Sequence, residues 1–134
     1  MQPLMEVVKE WLDKANGDLQ LAELALNATP PVYWGAAFHA QQVAEKCLKG
    51  LLSLHGVEFE KRHEIEYLMD LLAPVLPQVE ALRDTGPRLS QYAVDPRYPF
   101  PPRDPSESEA REAIEIARQV REFVRQRLPA ELLK

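Results

Sequence analysis

The residues of this chain best placed to do chemistry are two lysines, a glutamate and a carboxamide at regular helical spacing. Glu45, Lys46 and Lys49 lie three, four and seven residues after Gln42. On a helix turning about 100° per residue all four share one face. Phe38 falls within the same stripe and Trp34 sits at its edge. Two ammonium groups and a carboxamide around an aromatic ring could form a ligand or partner surface. The stripe equally suits a solvated face, with Glu45 and Lys49 as an i,i+4 ion pair worth a few tenths of a kcal/mol.

His63, in the run KRHE, stands at the expected start of a helix, where it either flanks that helix or belongs to a site. His39 and His55 have no HExxH-type neighbours, so no metal site is expected. The glycines form neither a P-loop nor a dinucleotide fingerprint, and no GxSxG nucleophile elbow is present. In DPRYPFPPRDP, prolines hold Arg97 and Tyr98 on a restricted backbone. Arginine is a planar clamp for phosphate or carboxylate, and tyrosine stacks or hydrogen-bonds. Alternatively, Arg97 bonds helix-end carbonyls and Tyr98 fills the end of the domain.

The elements that must position these groups are delimited by proline. Of 12 prolines, eight lie between Pro74 and Pro105 and none between Val32 and Ala73. An interior proline breaks a helix, so the proline-free stretches are where long helices run. The first helix is expected from about Leu4 to Ala28, with Val8, Trp11, Leu12, Ala15, Leu19, Ala22 and Leu26 as its apolar stripe. Pro30-Pro31 ends it. A second helix runs from Val32 to His55, roughly 35 Å long, and Gly56 suits its left-handed cap. Its other face, with Ala36, Ala40, Val43, Ala44, Cys47 and Leu51, is small and apolar enough for close helix packing. A shorter helix follows from His63 to Ala73, then one or two short pieces between Val79 and Val94. Asp95 to Pro105 reads as an irregular corner loop. The last helix opens at Ser106, with Glu109 at capping-box spacing. Its charges run from acidic to basic, complementing the helix dipole. The expected fold is therefore all-α: an up-and-down four-helix bundle with an additional short helix and a Pro-rich corner loop, one domain over residues 1–134.

Composition agrees. The chain has 134 residues, 46% hydrophobic and 28% charged, which suits a single globular domain. Its one cysteine, Cys47, allows no internal disulfide and points to a reducing compartment. The net charge of −5 speaks against general nucleic-acid binding, since neutralising phosphates takes a surplus of Lys and Arg. Arg111, Arg118 and Arg125 make a basic stripe, but Glu115 and Glu122 are interleaved with it. The N-terminus does not read as a signal peptide, and no apolar run is long enough to span a bilayer. A cytoplasmic protein without membrane contact is expected.

The segments AAFHAQQVAEKCLKGLLSLHG, EYLMDLL after His63, and LSQYAVDPRYP, with WLDKANGDLQLAELAL before them, resemble a HEPN domain, the higher-eukaryote and prokaryote nucleotide-binding family. The resemblance runs from about Met5 to Leu128 and rests on the ordered series Gln42, Glu45-Lys46, Lys49, His63, Tyr92 and Arg97-Tyr98-Pro99. It implies a helical bundle, usually a homodimer, often encoded beside a small nucleotidyltransferase in a toxin–antitoxin or nucleotide-handling pair. It also implies nucleotide or RNA binding, and in many members a metal-independent ribonuclease. That ribonuclease branch carries an Arg followed after four to six residues by a His. Here the first arginine, Arg62, directly precedes His63, and no histidine follows. The expectation is a non-catalytic module without cofactor, binding a nucleotide through Gln42, Glu45, Lys46, Lys49, His63, Arg97 and Tyr98, or serving as a nucleotidyltransferase partner. In the nucleotide version, Lys46 and Lys49 meet phosphate, Arg97 closes the site, and Tyr98 or Phe38 stacks on a base. The alternatives are an interaction subunit with no small-molecule ligand and a ribonuclease toxin using His63.

Overall fold

Proline and glycine mark the ends of the helices. In the computed structural model, which describes residues 2–93 and 104–133, α1 spans Gln2–Asn27 and stops before Pro30-Pro31. The chain turns through a cis Thr29–Pro30 bond and enters α2, Tyr33–Leu54. Gly56, at φ +71°, then adopts the left-handed conformation that glycine tolerates best. α3 is Ile65–Leu72. Two 3-10 segments follow, Pro77–Leu82 and Gly86–Tyr92, each with proline at its first or second position. α4 is Glu107–Arg125, and a last 3-10 turn covers Ala130–Leu133.

The start of α3 lies two residues later than the expected His63. Glu64 is still extended, and the first helical N–H, that of Ile65, is capped by Ser90 Oγ at 2.9 Å. The cap comes from a distant segment, so local sequence carries no sign of it. At α4 the cap is local and as expected. Ser106 Oγ accepts from the Glu109 N–H at 3.1 Å, and the Ser106 N–H donates to Glu109 Oε1 at 2.8 Å.

α1 and α2 form an antiparallel hairpin. The Val32 N–H bonds the Ala25 carbonyl at 2.9 Å, Asp18 meets His39 and Lys46, and Gly50 lies against Trp11 and Leu12. A side chain at Gly50 would place its Cβ 3.3 Å from the Trp11 Cβ, so the bare glycine permits the close approach. α4 runs antiparallel to α1, with Arg118 reaching Glu23 and Arg121 reaching Asn16. α2 packs on α1, α3, α4 and the second 3-10 segment, and is the central rod of the bundle. Its Ala36, Ala40, Val43, Ala44, Cys47 and Leu51 are all buried, together with Val8 and Ala22 of α1, Leu68 and Leu72 of α3, and Ala117, Val120 and Val124 of α4. Each fully buried Val or Leu side chain contributes about 1.5–3 kcal/mol to this core.

Candidate functional site

The polar stripe of α2 is not a solvated face. α1 and the 57–63 segment cover it, and its charged groups are bound within the fold. Glu45 and Lys49 show only 6% and 8% of their side chains to solvent, and Lys49 Nζ donates to Glu45 Oε2 at 2.7 Å. Glu45 Oε1 accepts from Gln41 Nε2 at 3.1 Å and lies 3.2 Å from His63 Nδ1. A carboxylate only accepts, so His63 donates through Nδ1–H. Gln41 Nε2 also donates to the His63 carbonyl at 2.9 Å, and Gln42 Nε2 donates to Gln41 Oε1 at 2.7 Å. Trp11 and Phe59 flank the Lys49 ammonium, with ring centroids 5.6 and 5.5 Å away. That placement adds cation–π attraction to the ion pair.

Burial alone would raise the Glu45 carboxyl, but hydrogen bonds from Lys49 and Gln41, the Lys49 charge and the His63 contact outweigh it. The carboxyl is held below its ordinary value of 4.5. Among the described residues no buried polar side-chain atom lacks a partner. The network is therefore closed on itself.

Lys46 points away from this network, toward α1. Its Nζ binds Asp18 Oδ2 at 2.5 Å, while His39 Nδ1 sits 2.8 Å from Asp18 Oδ1. The Phe38 ring stands edge-on to His39, with centroids 5.0 Å apart. One buried carboxylate thus holds two groups that lie seven residues apart on α2, each keeping part of its surface exposed.

Of the residues singled out from sequence, Gln42, Glu45, Lys49 and His63 come together, and Lys46 joins a separate pair. Arg97 and Tyr98 lie outside the described residues. Asp18, Gln41 and Phe59 belong to the arrangement without having been expected there, and Trp11, expected only as part of the apolar stripe of α1, flanks the Lys49 ammonium. The signal for two of them is a polar residue within an apolar stripe: Asp18 between Ala15 and Ala22, Gln41 between Ala37 and Leu48. The arginine stripe of α4 is also matched in part, Arg111 by Glu107 and Arg118 by Glu23. Burial pushes the Cys47 thiol up to about 12, which makes it a core residue and not a nucleophile. Among the described residues no group of three His, Cys, Asp or Glu could hold a metal ion, and no helix is long and apolar enough to cross a membrane.

This architecture has solved counterparts. TT1696 from Thermus thermophilus superposes with a TM-score of 0.72 at 32% identity, over 90% of this chain and 98% of that one. ST0689, an archaeal HEPN homologue, superposes with a TM-score of 0.64 at 28% identity, over 90% and 96%. A Methanocaldococcus jannaschii protein named "Putative toxin MJ1304" is 28% identical over an alignment of 111 residues that covers 72% of this chain and 66% of that relative's length. The model of the HEPN domain family matches residues 8–127. With that match covering most of its length and the fold in agreement, the chain belongs to the HEPN domain family.

Proposed function

We propose that this chain is a non-catalytic HEPN module of a toxin–antitoxin-like pair, acting by holding a small nucleotidyltransferase partner and a second copy of itself in the cytoplasm. The observation that carries this reading is the internal matching of the α2 cations: Glu45 binds Lys49 and Asp18 binds Lys46. Lysines paired with buried or nearly buried carboxylates have little charge left to offer a phosphate. The sequence also lacks the Arg-x4-6-His pattern, and its net charge of −5 suits a basic protein surface better than RNA. The toxin in the name of the archaeal relative supports the toxin–antitoxin setting. Co-expression with the product of the neighbouring open reading frame, followed by gel filtration with light scattering, should give one stable complex with a small nucleotidyltransferase. A free monomeric chain under those conditions would overturn the proposal.

A second reading, a nucleotide ligand, has one observation in its favour: Lys46 and His39 keep part of their surface exposed beside the Phe38 ring. In that reading Lys46 and Gln42 face the ligand and Arg97 and Tyr98 close over it. It requires a rise in melting temperature with millimolar purine nucleotide that vanishes in Lys46→Ala.

A further inference from the structure

At the end of the bundle where α1 begins and α2 ends, an open groove of about 640 Å³ separates the first turns of α1 from the chain that follows α2. Leu4 and Val7 form one wall, and Val57, Phe59 and Tyr67 form the other. Among the described residues, the only charged ones lining it are Glu58 and Glu60. Neither carboxylate takes part in an ion pair among the described residues. This contrasts with Asp18 and Glu45, each matched by a lysine. Arg62 is bound to Glu64 and stacked on the Tyr67 ring, and its charge also acts on Glu60. Val7 is 46% exposed although it lines this groove and a smaller depression beside Trp11.

An apolar trough whose charged lining residues are both carboxylates is complementary to an apolar side chain flanked by lysine or arginine. We propose that this groove docks a basic amphipathic segment of a partner protein. Apolar side chains of that segment enter between Val7, Val57 and Phe59, and its cations meet Glu58 and Glu60. The inference rests on the reading of the chain as a partner-binding module and assigns that role to a specific surface.

The test uses the full chain and two probes, a fluorescent amphipathic Leu/Lys peptide and the co-expressed nucleotidyltransferase. The peptide should bind in low salt, and Glu58→Lys with Glu60→Lys should weaken it at least tenfold. Val7→Asp should weaken it as well, by placing a charge in the apolar trough. These side chains are exposed, so the variants should melt as the parent does. A Leu/Glu peptide that binds as well as the Leu/Lys peptide would overturn the proposal. So would a nucleotidyltransferase complex that survives the charge reversals unchanged, although the partner-module reading would then stand. Failure of the parent chain to form that complex would instead overturn the partner-module reading and, with it, the groove's assigned role.

Discussion

α2 and α4 carry the same pattern of oppositely charged residues four apart, and the fold gives the two patterns opposite meanings. On α4, Arg111 and Glu107 are 59% and 55% exposed and 2.9 Å apart. On α2, Lys49 and Glu45 are 8% and 6% exposed and 2.7 Å apart. In water the first pair gains a few tenths of a kcal/mol and is screened by salt. In the interior, the second pair must offset the cost of removing two charges from water, which it does with Gln41, His63 and two aromatic faces. The difference shows that charge spacing identifies a helix face, while the neighbours of that face decide whether its charges serve solubility, structure or a ligand.

The largest expected effect follows from removing one member of the buried pair. Lys49→Ala leaves the Glu45 carboxylate buried beside no cation and should cost about 3–5 kcal/mol in urea unfolding. A loss below about 1 kcal/mol would mean that water reaches the site and that the contrast with α4 is only apparent.

Acid should act on the same pair. The folded carboxyl of Glu45 lies below its ordinary value of 4.5, so its ionised form contributes stability above that pH. The contribution is lost as the pH falls from 4.5 through the folded value. Glu45→Gln should therefore flatten the acid limb of a stability profile in this window.

On α4 the local cap matters more than the surface ion pair. Ser106→Ala removes the acceptor for the Glu109 N–H and should cost about 1 kcal/mol. Thermal melts would show a modest decrease, smaller than that of Lys49→Ala.

The parts of the fold legible in sequence are those controlled by local chemistry. Pro30-Pro31 and Gly56 bound α2, and Ser106 with Glu109 opens α4, because prolines, left-handed glycines and capping boxes act within a few residues. The start of α3 depends on Ser90, 25 residues from Ile65, and could not be read locally. The same distinction divides the site. That Gln42, Glu45, Lys46 and Lys49 share one rod follows from helix geometry alone. That Lys46 turns to Asp18 while Lys49 turns to Glu45 depends on where α1 and Phe59 lie against the rod. Gln41 and Asp18 entered apolar stripes without an obvious role, since a polar residue there has meaning only once its partner is known.

Double-mutant cycles on the two ion pairs test the central claim most directly. For Glu45–Lys49, measured with Ala at each position, the coupling should be about 2 kcal/mol or more, against less than about 0.5 kcal/mol for Glu107–Arg111. Equal and small couplings would contradict the account: Lys49 would then be a free charge, and its part of the stripe would again be open to a phosphate ligand.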